Sequence, residues 1–124
     1  MMTHPSYALL YVADPAASAT FYADLFDTRP VDVSPAFALF ALEGGMMLGL
    51  WARSVVVPAP SAAPGASELG IRMADDAAVD AAFADWQARG ITIAAAPMKQ
   101  GFGYSFMGLD PDGHRLRVYA LAGG

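Results

Sequence analysis

The sequence predicts an α+β fold in which two strand–helix–three-strand modules, each βαβββ, form a cup-shaped curved sheet. Three observations carry this prediction. The order of elements up to Ala52 recurs after Ala66 with a period of about fifty residues, the mark of an internal duplication. Residues 58–65 (PAPSAAPG) join the two copies, and their Pro, Ser and Gly content makes a poor helix and a poor strand. The second copy ends in a hairpin built on Asp110-Pro111-Asp112-Gly113. There Pro sets φ at the second turn position, Gly supplies a positive φ, and the two Asp side chains can bond the turn's own backbone. The expected organisation is a single domain, with modules at 1–57 and 67–124 and a linker at 58–66.

In the first module, residues 7–12 read as a buried strand, with Tyr7, Leu9 and Tyr11 on one face and Ala8, Leu10 and Val12 on the other. Asp14 caps a helix that opens with Pro15. Its expected apolar stripe is Ala17, Phe21 and Leu25, widened by Tyr22 and Phe26. Short strands follow at 31–33, 37–42 and 46–52, with a turn at Glu43-Gly44-Gly45.

The second module repeats this grammar. Residues 68–73 read as a strand, and Asp75 or Asp76 caps a helix with the stripe Val79, Phe83 and Trp86, closed by Gly90. Strands at 91–95, 102–109 and 115–121 complete it. In the last strand, Arg115, Arg117 and Tyr119 alternate with Leu116 and Val118, so the two sets occupy opposite faces. One helix covers one face of each sheet and leaves the other open. Two such open faces would close on each other around a cavity.

Composition narrows the function. At 124 residues and 56% hydrophobic, the chain can bury a sizeable core. A net charge of −5 argues against a nucleic-acid surface. Without cysteine there is no disulfide and no thiolate ligand, which fits a cytoplasmic protein. No apolar run approaches the ~18 residues of a membrane span, and the N-terminus lacks the layout of a signal peptide. No serine sits in a nucleophile elbow, and no glycine cluster matches a phosphate loop. His4 near the start and His114 just after the hairpin turn are bystanders rather than acid–base catalysts.

Taken together, Val12-Ala13-Asp14 with Ser18 and Phe21-Tyr22, then Val79-Asp80, Gly90-Ile91 and Phe106 running into Asp110-Pro111-Asp112-Gly113-His114, resemble the vicinal oxygen chelate superfamily. This is the glyoxalase, bleomycin-resistance and extradiol-dioxygenase group. The likeness runs from about Tyr7 to about Tyr119. It implies paired βαβββ modules around a cavity, and a homodimer.

The resemblance also implies three metal-ligand positions, held by His or Glu in the metal enzymes. Here they are Tyr7, Glu68 and Arg117. A neutral Tyr is a poor ligand, with a reference pKa near ~10. Arg117 has no acceptor and repels a cation. Glu68 alone does not hold a catalytic metal, which takes three protein ligands. No metal and no other cofactor are therefore expected.

By strand parity, Glu68 and Arg72 share one face of their strand, and Arg115, Arg117 and Tyr119 share one face of theirs. The ligand positions implied by the resemblance mark these faces as inward, with Tyr7, Leu9 and Tyr11, and on that basis Glu68 should approach Arg117. Two roles are open for that pair: a plug in a relict site, or an arrangement in which Arg117 or Arg72 also meets an anionic or carbonyl group of a ligand. Phe40, Trp51, Tyr104 and Phe106 are expected to line the cup or its rim and to stack on a flat ring. Gly101 and Gly103 suggest a pliable mouth beside Phe102.

The functional expectation is a metal-independent binder of a planar aromatic antibiotic or metabolite. It would sequester the compound or deliver it to an exporter or tailoring enzyme. An acidic chain suits a cationic ligand and the arginines suit an anionic one, so the ligand's charge is open. The alternatives are a lyase, isomerase or dioxygenase using shifted ligands or acid–base chemistry by Glu68 and Tyr7, and a structural or regulatory dimer.

Overall fold

A computed structural model describes residues 2–123. It contains two compact units, one ending at Ala63 and the other beginning at Pro64. Each is a four-stranded sheet with one helix, so the chain is α+β, and neither sheet closes on itself.

The first unit runs β1 (Tyr7–Val12), α1 (Pro15–Phe26), β2 (Asp32–Val33), β3 (Phe37–Ala41) and β4 (Met47–Ala52). The second runs β5 (Glu68–Arg72), α2 (Asp76–Ala88), β6 (Ile93–Gln100), β7 (Gly103–Leu109) and β8 (Arg115–Leu121). Strand orders are β1-β4-β3-β2 and β5-β8-β7-β6, the same topology twice. In each unit the first strand lies parallel to the last and the remaining pairs are antiparallel.

Local chemistry sets the element ends. Asp14 Oδ1 accepts hydrogen bonds from Ala16 N (3.1 Å) and Ala17 N (3.4 Å), two of the free donors at the start of α1. Asp75 Oδ1 does the same for Ala78 N at 2.8 Å, so Asp75 and not Asp76 is the cap of α2. Gly90 follows α2 with φ +78°, as a C′ residue does.

The stripe expected on α1 is rotated in the structure. Pro15, Ser18, Ala19 and Tyr22 are the buried residues, whereas Ala17 is exposed and Phe21 and Leu25 are half-buried. Pro15, Ser18 and Ala19 thus share the buried face with the Tyr22 ring. The larger Phe21 and Phe26 rings pack around Tyr22 at 5.1 and 5.7 Å.

Strand β6 is longer than its apolar pattern indicates and continues through Pro97 to Gln100. It is a sheet edge, where the missing N–H of Pro97 costs no ladder bond. Its register with β7 shifts on either side of Ala95.

The turn joining β7 to β8 is held by Asp110, which is 5% exposed. Its Oδ1 accepts from Asp112 N and His114 N, both at 2.9 Å, and Gly113 has φ +95°. Asp110→Ala leaves two part-buried N–H groups without that acceptor. It is expected to lower the unfolding free energy by about 2 kcal/mol, read from urea unfolding midpoints. Asp110→Asn keeps one side-chain acceptor oxygen and should recover most of the loss.

Candidate functional site

The open face of the second sheet is set by β8. Leu116, Val118 and Ala120 are buried on the face under α2, so Arg115, Arg117 and Tyr119 project from the other. Register brings Gly70 beside Arg117, Glu68 beside Arg115, Arg72 beside Tyr119, and Ser105 and Met107 of β7 beside Tyr119 and Arg117. A Cβ on Gly70 would lie 3.2 Å from the Tyr119 ring, so the absence of a side chain there lets Tyr119 rest against β5.

Arg117 is the centre of this face. Its Nε donates to Glu68 Oε2 at 2.5 Å, and its Nη1 donates to Ser105 Oγ at 3.0 Å and Gln100 Oε1 at 3.2 Å. The Ser105 hydroxyl donates to Gln100 Oε1 at 3.3 Å, which ties the two acceptors together. The Phe102 ring lies 6.0 Å from the guanidinium and 6.3 Å from the Tyr119 ring. With 24% of its side chain exposed against 38% for Glu68, Arg117 is held in place by its surroundings yet reachable. A cavity of about 160 Å³ lies against Arg117 and Arg115, with Ser105, Met107 and Gln100 in its wall.

These residues do not fit a resident metal. Arg117 has no acceptor to offer a cation, and it points its Nε donor at the Glu68 carboxylate beside it. Among the described residues, no three His, Cys, Asp or Glu side chains gather where they could hold an ion.

The first sheet has its own open face. Tyr7, Leu9 and Tyr11 of β1 register with Met47, Gly49 and Trp51 of β4. Trp51 meets the edges of Tyr11 and Phe37, each with ring centres 6.3 Å apart. Gly49 is roofed by the tips of Leu9, Phe37 and Tyr7, all within 2.8 Å of where a Cβ would stand.

Three expected lining residues turn to the helix faces of their sheets, although Phe106 also borders the 160 Å³ cavity. Phe40 is fully buried and registers with Leu48, in the layer with Ala38, Leu50 and Val12 on the face that α1 covers. Phe106 is 1% exposed and stacks edge-on with Phe83 and Trp86 of α2 at 5.4 and 5.1 Å. Tyr104 shares the face of Phe106, as alternation requires, but that is the helix face. Its hydroxyl donates to Asp80 Oδ1 of α2 at 2.6 Å. Phe102 sits in the two-residue loop before β7, where strand alternation does not apply, and its ring lies against Arg117.

Sequence reasoning passed over Phe37, Gln100 and Ser105. Pairing across the Glu43–Gly45 turn sets Phe37 opposite Trp51, a signal available from the hairpin alone. Ser105 is the one aliphatic hydroxyl in an otherwise largely apolar strand, and, buried there, it accepts from Arg117. Gln100 closes β6 and carried no such signal.

A larger cavity, about 440 Å³, lies at the start of α2 among Asp75, Asp76, Lys99 and Tyr104. Its polar groups already pair with one another: Lys99 bridges Asp76 at 3.1 Å, and Tyr104 is taken by Asp80. The hydrogen bond to Asp80 holds the Tyr104 pKa above the ordinary tyrosine value, helped by burial and by the charges of Asp80 and Asp76. A raised folded-state pKa means the contact contributes fully below the unfolded value near ~10 and is lost as pH rises through the folded one. Phenolate absorbance is expected to show Tyr104 titrating late, and Asp80→Asn should lower its pKa, while burial and the Asp76 charge remain.

Among the described residues, no helix is long and apolar enough to cross a membrane. Residues 4–118 match the model of the Glyoxalase/Bleomycin resistance protein/Dioxygenase superfamily. The phenazine antibiotic resistance protein EhpR of Enterobacter agglomerans is 32% identical over 120 residues, covering 94% of this chain and 92% of that protein. A solution structure of an Agrobacterium tumefaciens protein is 50% identical, with a TM-score of 0.87 over 98% of this chain and 100% of its own. A glyoxalase-related enzyme from Fulvimarina pelagi, 22% identical, shares the fold with a TM-score of 0.82 over 96% of this chain and 88% of its own. The duplicated sheet topology and these matches agree, and the chain belongs to the glyoxalase/bleomycin resistance protein/dioxygenase superfamily.

Proposed function

We propose that this protein captures a planar aromatic antibiotic of the phenazine type without transforming it, and so confers resistance by sequestration or by delivery to an exporter or tailoring enzyme. The observation that carries this reading is the Arg117–Glu68 pair. Arg117, at a position that the family resemblance implies for a metal ligand, engages the Glu68 carboxylate, which supports a role without metal-dependent chemistry. The 32% identity with a phenazine resistance protein supplies the ligand class.

The residues proposed to face ligand are Tyr7, Leu9, Tyr11 and Trp51 on the open face of the first sheet. On the second sheet they are Glu68, Arg72, Arg117 and Tyr119. Flat rings on Trp and Tyr lose little side-chain entropy on binding a flat heterocycle. The working form is a cytoplasmic homodimer, which sedimentation equilibrium checks as a mass twice that of the chain.

The deciding experiment titrates purified protein with phenazine, following tryptophan fluorescence, and then analyses the mixture by mass spectrometry. Saturable quenching at one ligand per chain, recovery of unchanged phenazine, and no effect of added Mn²⁺ or Zn²⁺ are expected. A product that appears only with a divalent ion overturns the reading in favour of an enzyme.

A further inference from the structure

We infer that the open face of the second sheet selects an anionic ligand, a planar aromatic carboxylate, with Arg117 as the carboxylate anchor; this rests on the capture reading above and settles the ligand's charge. The first observation is how charge divides within the unit. Whole-chain charge is −5, yet the open face carries Arg72, Arg115 and Arg117 against Glu68 alone. Most of the unit's acids lie on the other side, Asp76, Asp80 and Asp85 on α2 and Asp75 at its cap, while Asp110 and Asp112 sit in the β7–β8 turn, where the Asp110 carboxylate accepts from Asp112 N and His114 N. On the α2 side Lys99 pairs with Asp76 and Arg89 with Asp85, so the cations of that side are neutralised locally. Arg72 and Arg115 have no ion-pair partner among the described residues.

The second observation is the donor inventory of Arg117. A guanidinium has five N–H groups. Nε goes to Glu68, and Nη1 goes to Ser105 and Gln100. Among the described residues Nη2 makes no hydrogen bond, so two donors of a fixed, positioned fork remain. They belong to the side chain that lines the 160 Å³ cavity together with Arg115. Three acceptors and the Phe102 ring hold the fork still, so a ligand oxygen meets a preorganised donor and not a mobile one. Phe102 and Tyr119 flank it and give the ring of such a ligand an apolar edge. A cationic ligand would face three arginines for one carboxylate that is already bonded. A neutral carbonyl would use Nη2 but gain nothing from Arg72 and Arg115.

The test compares phenazine-1-carboxylate, phenazine-1-carboxamide and unsubstituted phenazine, which share a ring system and differ in charge. Fluorescence titration at low salt is expected to give a Kd for the carboxylate about tenfold to a hundredfold below that for the carboxamide, the range of a charge-assisted hydrogen bond. The preference should shrink as salt is raised, because Arg72 and Arg115 are exposed. Arg117→Gln is expected to abolish it. The double variant Arg72→Gln/Arg115→Gln, on exposed positions, should reduce it several-fold and keeps the test intact if Arg117→Gln fails to fold. Equal affinity for carboxylate and carboxamide, or a preference that survives all three substitutions, overturns the anion reading while capture stands. Failure of all three compounds to quench overturns both.

Discussion

Phe106→Ala is expected to lower the unfolding free energy by about 3–5 kcal/mol, the range for truncating a buried ring. Against a total stability of about 5–15 kcal/mol for a natural domain, such a loss brings the second unit close to unfolding. The ring is 1% exposed and sits between β8, where Val118 is its register partner, and the Phe83 and Trp86 rings of α2. Removing it leaves a void among three elements whose backbones are tied by sheet and helix bonds, so collapse around the void is limited. Chemical denaturation at constant m-value is the measurement. A loss under about 1 kcal/mol would mean the ring is not core. Phe106→Leu keeps most of the volume and should cost roughly a third as much.

This residue also shows how far the sequence can be read. Element ends were legible because their causes are local. Asp14 and Pro15 start α1, Asp75 starts α2, Gly90 ends it, and Asp110 to Gly113 closes the hairpin, each within a few residues of the bonds it makes. Strand alternation correctly placed Tyr104 and Phe106 together. It does not say which of two faces lies under the helix. That choice depends on pairing. Counting outward from the Asp110–Gly113 turn sets Phe106 opposite Val118, in the same apolar layer as Leu116, and sets Ser105 opposite Tyr119. Phe40 and Phe37 divide in the same way across the turn before β4. Aromatic character alone favoured Phe40 and Phe106 for the ligand, whereas register gives them to the core.

The rotated stripe of α1 has a related cause. A large apolar side chain is not always the one that faces the sheet. Where helix and sheet lie close, Ser18 and Ala19 occupy the contact, and Phe21 and Leu25 cover its margin. Which side of the helix meets the sheet is a property of the packed pair of elements, which a helical wheel does not contain. The Arg117–Glu68 contact, in contrast, joins residues 49 apart in the chain and was still anticipated. Strand parity puts each on one face of its strand, and the ligand positions implied by the family resemblance bring the two together; parity alone would not, since the register partner of Arg117 is Gly70.

Trp51→Ala is expected to weaken phenazine binding by about 1–3 kcal/mol, or about five- to 150-fold in Kd, the cost of losing one stacking ring. Trp51 is half-buried near the end of β4 on the open face of the first sheet, so part of the indole is reachable, and T-shaped contacts with Tyr11 and Phe37 steady it. Those edge contacts are each worth about 0.5–1.5 kcal/mol, so the variant also loses a modest amount of stability and binding is measured well below its melting temperature. Phenazine's own absorbance shift supplies the readout, since the fluorophore is removed. Trp51→Phe retains a flat face of smaller area and should fall between wild type and Ala. Stacking acts on any flat heterocycle, so the Ala variant should lose affinity for neutral phenazine and for its carboxylate by the same factor. Unchanged affinity in Trp51→Ala would move the ring contacts off the first sheet. A loss confined to the carboxylate would mean Trp51 acts through charge, which an indole cannot supply.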